Sequence, residues 1–367
     1  MIRVRVVLLV TDLERGGTPL RLARTARELQ RRGVETIVGC LAPPGPVSRE
    51  LESEGVSTFA CGARRTWDVW ALVRLARHID EIRPDLIHAT LSHANVAARL
   101  VGWLLQVPVI ASTATIEVER WTHHVLERRT AFLDEAHIVN AEVVRRHVQR
   151  CYGVPAARVF VVPPLIRPVD SAIDRDASRR GLGLAPSDFV VAWIGRFDPA
   201  KRVDVIVRCA ADPACERVRV LLAGDGPLRC EIGALVQKLG LTERVRVLGW
   251  RDDVGPVLRA ADVFVLPSLT EGMPNAALEA LSAGVPLIGN DIPALRELTA
   301  GGAPIRLLHP CGPAELAAAI RELEAAPLER SRIGAASADW ARSTFNAAAS
   351  VDALLHVYDW VLRARGA

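Results

Sequence analysis

The sequence predicts an α/β protein made of two consecutive Rossmann-like domains, and three observations carry that expectation. Short β-branched runs alternate with amphipathic stretches from end to end, the pattern of parallel strands joined by helical crossovers. A chain of 367 residues with 50% apolar content is long enough for two domains. The alternation also breaks once, near the middle, and then starts again.

In the first series, strands are expected at Arg3–Val10, Glu35–Cys40, Leu86–Ala89, Val109–Ser112, His137–Val139 and Val159–Val162. Helices fall between them at Thr18–Arg32, Val69–Ile82 and Asn95–Leu105. Pro163-Pro164, Pro168 and the polar run Asp170–Arg180 lack apolar periodicity and read as an interdomain connection. The second series has strands at Phe189–Ile194, Arg219–Ala223, Val245–Leu248, Val263–Leu266, Pro286–Gly289 and Ile305–Leu308. These limits give a first domain over 1–165, a linker over 166–187, a second domain over 188–345 and a terminal segment over 346–367. Its helix, Asn346–Arg363, either caps the second domain or crosses back to the first.

Composition mostly excludes classes. A net charge of +4 without a basic tail is too mild for a dedicated nucleic-acid binder. The most apolar stretch, Ala97–Ala111, is interrupted by Arg99, Gln106 and Pro108, short of the roughly 20 residues a membrane span needs. The apolar run after Arg5 ends at Thr11-Asp12, too short for a signal-peptide core. Seven scattered cysteines without a C-x-x-C pair suggest neither zinc nor a disulfide framework, so a reduced, cytoplasmic protein is expected. Of 46 basic residues only Lys201 and Lys238 are lysine. In so arginine-rich a chain, each lysine is worth checking for a use that a guanidinium would not serve.

Ligands of such folds gather beyond the carboxyl ends of strands, so the loops there matter most. After the first strand come Gly16 and Gly17, which let backbone approach a ligand ahead of a helix N-terminus; a plain flexible turn is the alternative. After Phe189–Ile194 comes Gly195-Arg196-Phe197-Asp198-Pro199-Ala200-Lys201. Pro199 suits a helix start, which would set Lys201 in the first turn against the macrodipole. Two cations there call for an anion such as a diphosphate, unless both are simply exposed. After Val263–Leu266 comes Ser268-Leu269-Thr270-Glu271-Gly272-Met273-Pro274-Asn275, with Glu279 roughly 7.5 Å further along the helix. Two carboxylates so spaced can accept hydrogen bonds from hydroxyls at both ends of an elongated ligand. Gly224-Asp225-Gly226-Pro227 reads as a tight turn leaving room for ligand. Trp250-Arg251 can flank a nucleobase, with packing the alternative for Trp250.

Taken together, Gly-Arg-Phe-x-Pro-x-Lys, Ala-Gly-Asp-Gly-Pro, Leu-Gly-Trp, Ala-Asp-Val-Phe-Val-Leu-Pro-Ser and Glu-Gly-x-Pro-Asn-Ala-x-x-Glu-Ala resemble the donor half of family 4 retaining glycosyltransferases with the GT-B fold. The likeness is weaker in the first half, on Gly16-Gly17, Ile87-His88 and His93-Ala94-Asn95. It implies two Rossmann-like domains facing across a cleft, with the C-terminal helix returning to the N-terminal domain. It implies Arg196 and Lys201 on the diphosphate of a nucleotide-sugar, with Glu271 and the N–H groups of Gly272, Met273 and Asn275 on the sugar. Pro274 would open the helix carrying Glu279, which would hold the ribose. Gly17, beside Gly16, would approach from the other domain, and Gly224, Trp250 and Arg251 would complete the donor side. His88 and His93 are the acceptor-side candidates.

The chemistry so implied is front-face hexose transfer with retention, the departing phosphate taking the acceptor's proton. The nucleotide-sugar is a substrate, and neither cofactor nor metal is expected. Asp174-Arg175-Asp176 has the letters of a D-x-D motif but falls in the connection. Adjacent His123 and His124 on a helix would point about 100° apart. The chain departs from the family at Ala111-Ser112-Thr113-Ala114-Thr115, which lacks the frequent T-x-H histidine, and at Pro163-Pro164-Leu165 in place of Pro-Asn-Gly.

A glycan or lipid-linked acceptor would use the first domain. There Arg21, Arg24, Arg27 and Arg31 form a stripe at helical spacing. With Arg64-Arg65, Arg128-Arg129 and Arg145-Arg146 they make either a solvated face or a basic surface for anionic membrane. The expected place is therefore the cytoplasm, with peripheral contact at the inner face of the membrane in cell-envelope polysaccharide synthesis. Two other functions fit the same fold: a nucleotide-sugar 2-epimerase and a non-catalytic nucleotide-sugar-binding subunit. No acid–base set for epimerisation can be assigned, and the intact Arg196, Lys201, Glu271 and Glu279 argue against a degenerate site.

Overall fold

The computed structural model describes residues 4–65, 68–116, 121–166 and 168–366. It divides into two compact units, one of Met1–Leu165 with Phe345–Ala367, the other of Ile166–Thr344.

The first unit holds seven strands: β1 (Arg5–Val10), β2 (Glu35–Cys40), β3 (Ser57–Ala60), β4 (Leu86–Thr90), β5 (Val109–Thr113), β6 (Ala136–Val139) and β7 (Val159–Val161). All pair in parallel, in the order β3-β2-β1-β4-β5-β6-β7. Val6–Val10 is buried throughout because both faces of the sheet are covered. Alternate residues face opposite sides. Val6, Leu8 and Val10 meet Leu22, Ala26 and Leu29 of helix Gly17–Arg31, whereas Val7 and Leu9 meet Leu75 and Ile79 of helix Val69–Ile82.

The terminal helix Ala347–Gly366 belongs to this unit. Its Val351, Leu354, Val357, Tyr358 and Val361 are buried in the same core as Val6 and Leu22. Each such apolar side chain contributes about 1.5–3 kcal/mol, enough together to hold the chain end in place. Tyr358 Oη lies 2.7 Å from His88 Nδ1, and Arg32 reaches Asp352 at 2.5 Å.

The second unit holds β8 (Phe189–Ile194), β9 (Val218–Ala223), β10 (Val245–Gly249), β11 (Val263–Leu266), β12 (Leu287–Asn290) and β13 (Ile305–Leu308), all parallel, in the order β10-β9-β8-β11-β12-β13. The order reverses between β8 and β11, the switch point at whose carboxyl ends ligands gather in sheets of this kind.

The run Asp170–Arg180 is not a bare connection. Residues Arg175–Gly181 form a helix within the second unit, capped by Asp174, whose carboxylate accepts from Ala177 N. Arg175 and Arg179 both bind Asp262, at 2.8 and 2.7 Å, and Arg179 also donates to the carbonyls of Ala260, Pro186 and Asp188. Charge and hydrogen bonds dock this helix, which is why hydrophobic periodicity does not reveal it. No described helix is long and apolar enough to cross a membrane.

Candidate active site

The loops at the carboxyl ends of β8, β9 and β10 are laced together by backbone. Gly195 N donates to Ala223 O, Phe197 N to Asp225 O, Leu228 N to Phe197 O and Gly224 N to Gly249 O, at 2.8–3.0 Å. Gly224 has φ +140°, and a Cβ there would lie 1.8 Å from the Gly195 carbonyl oxygen. Gly226, at φ +156°, would strike Phe197 in the same way. These glycines are therefore required to press the 224–227 turn onto the 195–197 loop that carries Arg196, beyond any room they leave for ligand.

Lys201 does not sit in the first turn of an α-helix. Asp198 caps a single 3₁₀ turn, Pro199–Lys201, Arg202 turns left-handed at φ +49°, and the α-helix begins only at Val203. The macrodipole argument for an anion thus gives way to a direct one. Lys201 Nζ lies 2.7 Å from both carboxylate oxygens of Glu271. The pair spans the switch point, one partner following β8 and the other β11. Leu269 N to Ala200 O, at 2.8 Å, ties the two loops beside it. Glu271 is only 9% exposed and Lys201 about a quarter, so each would be a costly charge without the other. Arg196 stands exposed at the end of β8.

Around Glu271 lie groups whose partners are missing within the protein. Ser268 Oγ and Asn275 Oδ1 are buried with no hydrogen-bond partner. Among the described residues the N–H groups of Gly272, Met273 and Asn275 reach no acceptor. Pro274 is the N-cap of helix Asn275–Ser282, so these donors cluster at a helix start, a natural place for an oxygen-rich ligand. Buried orphans at this density are uncommon except where a ligand or water completes them. The sequence does not mark Ser268, because a small polar residue at a strand end carries no signal until its burial is known. Glu279 is half-buried on the same helix, Trp250 is half-buried with Nε1 donating to Asp252 at 2.9 Å, and Arg251 is exposed.

In the first unit, Gly16 is an extended N-cap of helix Gly17–Arg31. A Cβ at Gly17 would meet nothing within 4 Å, so packing does not demand that glycine as it demands Gly224. His88 is buried with both ring nitrogens engaged, Nδ1 with Tyr358 and Nε2 with Ser112 Oγ at 2.5 Å, and burial pushes its pKa down to about 3. It is a neutral structural hub that also lines a pocket of this unit. His93 stands edge-on to His123 at 4.6 Å. His124 turns instead to His147 and Cys151, whose ligating atoms lie within 4.8 Å of one another, and the His124 and His147 rings pack on Tyr152.

The arginine stripe is partly neutralised. Arg27 pairs with Glu54, Arg31 with Glu28, and Arg145 and Arg146 with Glu142. Arg64, Arg65, Arg128 and Arg129 are exposed.

Residues 188–325 match the family model described as Glycosyl transferases group 1, and residues 15–169 match Glycosyltransferase Family 4. The D-inositol 3-phosphate glycosyltransferase of Actinosynnema mirum is 30% identical over 326 residues, covering 74% of this chain and 75% of that one. An Escherichia coli UDP-Gal:alpha-D-GlcNAc-diphosphoundecaprenol alpha-1,3-galactosyltransferase is 29% identical over 246 residues, covering 61% of this chain and 62% of that one. Among solved structures, Anabaena HepE in complex with UDP and glucose superposes with a TM-score of 0.84 at 20% identity, over 96% of this chain and 99% of that one. At that identity the last likeness speaks for the fold alone.

Proposed function

This chain belongs to family 4 of the glycosyltransferases, and from that membership we propose that it moves a hexose from a nucleoside-diphosphate sugar to an acceptor with retention of configuration and without a metal. The observation that carries this reading is the Lys201–Glu271 pair across the β8/β11 switch point, with Ser268 Oγ, Asn275 Oδ1 and a helix start beside it. When the donor arrives, Lys201 exchanges part of its contact with Glu271 for a diphosphate oxygen, and Arg196 covers the same group from the strand end. Glu271, so released, accepts hydrogen bonds from sugar hydroxyls, and the N–H groups of Gly272, Met273 and Asn275 donate to sugar or phosphate oxygens. Glu279 takes the ribose.

As the glycosidic bond breaks, negative charge grows on the leaving diphosphate, and cations placed beforehand stabilise that charge more than the ground state. The acceptor hydroxyl attacks from the same face and passes its proton to the leaving phosphate, which accounts for retention without a protein nucleophile. The relative named for UDP-Gal favours a UDP-hexose donor. The test is nucleotide release from UDP-, GDP-, ADP- and dTDP-hexoses with Glu271→Ala as control. Equal release by wild type and variant would sink the assignment.

We also propose contact with an anionic membrane through the first unit. Val69 and Trp70 begin a helix at 68% and 71% exposure, and Arg64 and Arg65 are exposed just before them. Aromatic side chains beside arginines suit a headgroup region. Sedimentation with vesicles that ignores both anionic lipid and salt would refute it. An inner-face, cytoplasmic location follows from the same proposal.

A further inference from the structure

Three side chains of the first unit converge without a part in the donor site. His124 lies on helix Trp121–Thr130, His147 ends helix Glu142–His147, and Cys151 lies on the π-helical turn Val148–Tyr152 that continues it. One ligating atom from each lies within 4.8 Å of the other two, and all three residues are half-buried, open enough for an ion to reach them. Among the described residues no other group of three His, Cys, Asp or Glu side chains is so arranged.

The spacing inside the trio is informative. His147 Nδ1 stands 3.6 Å from Cys151 Sγ. Zinc bonds of about 2.0–2.1 Å to an imidazole nitrogen and about 2.3 Å to a thiolate, set at the tetrahedral angle, hold those two atoms about 3.6 Å apart. The pair therefore already occupies two corners of a zinc tetrahedron. His124 needs a small movement to reach a third, which side-chain torsions can supply. Residues four apart share a helix face, and the π turn that carries Cys151 is a conformation frequent at functional sites.

Little else engages His147. A thiol is a weak hydrogen-bond donor, and His147 Nε2 is buried with no partner. The rings of His124 and His147 both pack on buried Tyr152, at 5.8 and 5.4 Å between centroids, so their orientations are set before any ion binds. Two imidazoles and a thiolate suit zinc, whereas magnesium and calcium call for oxygen ligands.

We propose that His124, His147 and Cys151 form a zinc site that clips helix Trp121–Thr130 to the segment Glu142–Tyr152, with water in the fourth position. On binding, the Cys151 Sγ–H bond breaks, its proton passes to solvent and the thiolate joins the ion. The clip fastens together the elements that follow β5 and β6. It contains none of the donor residues and adds no step to the transfer, so it does not rest on the transferase reading.

The test uses the full chain, stripped by a chelator and kept reduced by a phosphine, and titrated with Zn²⁺, Co²⁺ and Mg²⁺. One Zn²⁺ should bind per chain and raise the melting midpoint. Co²⁺ should give thiolate charge-transfer and tetrahedral ligand-field absorption, and Mg²⁺ should do neither. Cys151→Ser, His147→Phe and His124→Phe should each weaken Zn²⁺ by about ten-fold or more, and Cys151→Ser should abolish the charge-transfer band. Cys230→Ser, which removes an exposed thiol elsewhere, should bind as wild type does. Melting of the metal-free variants checks that each is folded. A wild type that binds no Zn²⁺, Co²⁺ bound without a thiolate band, or unchanged affinity in Cys151→Ser and His147→Phe overturns the site. UDP binding should be the same in stripped and loaded protein, and its loss on stripping would overturn the separation from the donor site.

Discussion

Lys201 in the second unit and Arg21 in the first are both cations drawn partly out of water, and they are treated in opposite ways. Lys201 is met by both oxygens of Glu271 at 2.7 Å. Arg21 meets no carboxylate among the described residues. Arg99 shows how the same chain handles a cation that serves structure alone: fully buried, it binds Asp134 at 2.6 and 2.7 Å, Glu127 at 2.5 Å and Thr130 Oγ1 at 2.9 Å. A saturated cation fixes the fold. A paired but exchangeable one keeps its position until a ligand competes for it. An unpaired one keeps its charge half-buried with no carboxylate to answer it among the described residues. The difference lies in what surrounds each charge, since all three are ordinary basic side chains.

The largest effect is expected from Arg99→Met. It leaves Glu127 and Asp134 buried without their counter-ion and should remove about 3–5 kcal/mol of stability, read by urea unfolding. Lys201→Met should lower kcat by about 10²–10³ in nucleotide release, the cost of losing one preorganised stabiliser of developing charge. A loss under ten-fold would move Lys201 out of the reaction. Gly224→Ala forces a Cβ into the Gly195 carbonyl and should cost about 1–3 kcal/mol while weakening UDP binding, measured by melting and titration.

The pH dependence of stability is a smaller effect. His88 has a folded pKa of about 3, below the unfolded value of about 6.5, so the unfolded chain takes up the proton first. Stability from this group is full above about pH 6.5 and falls by up to about 1.4 kcal/mol per unit toward pH 3. His88→Gln should flatten that part of the profile in unfolding measured between pH 7 and 4. The smallest effect is Arg21→Met on stability, expected within about 0.5 kcal/mol of wild type or slightly positive, because no ion pair is lost. A large loss there would make Arg21 a second Arg99.

Much of the fold was legible. Phe189–Ile194 and Val263–Leu266 appear at the expected limits because strands buried on both faces write continuous apolar runs; Ile305–Leu308 also appears there, although it is a half-buried edge strand carrying Arg306. Strand Ser57–Ala60 and helix Pro46–Ser53 were not expected: the strand is a short edge with an exposed serine, and the helix has only eight residues. Helix Arg175–Gly181 reads as a connection in the sequence because Asp262, some eighty residues later, is what docks it.

The candidate site divides in the same way. Motif order identified Lys201 and Glu271 as residues with chemistry, but assigned them to different parts of a ligand. Their mutual contact depends on two loops meeting at a switch point, seventy residues apart in the chain. Arg21 was one of a stripe of arginines, and a helical wheel reports only spacing along one helix.

Local pattern was enough for the α/β class, the two Rossmann-like units and the loops that carry charge, because periodicity and turn chemistry are properties of neighbouring residues. Whether a given charge is answered, exchanged or left waiting was decided only in three dimensions. Arg21 shares a pocket of the first unit with residues of 112–114, 138–140, 162–165 and the terminal helix, segments that no helical wheel brings together, and the burial that lowers its pKa is a property of the folded chain.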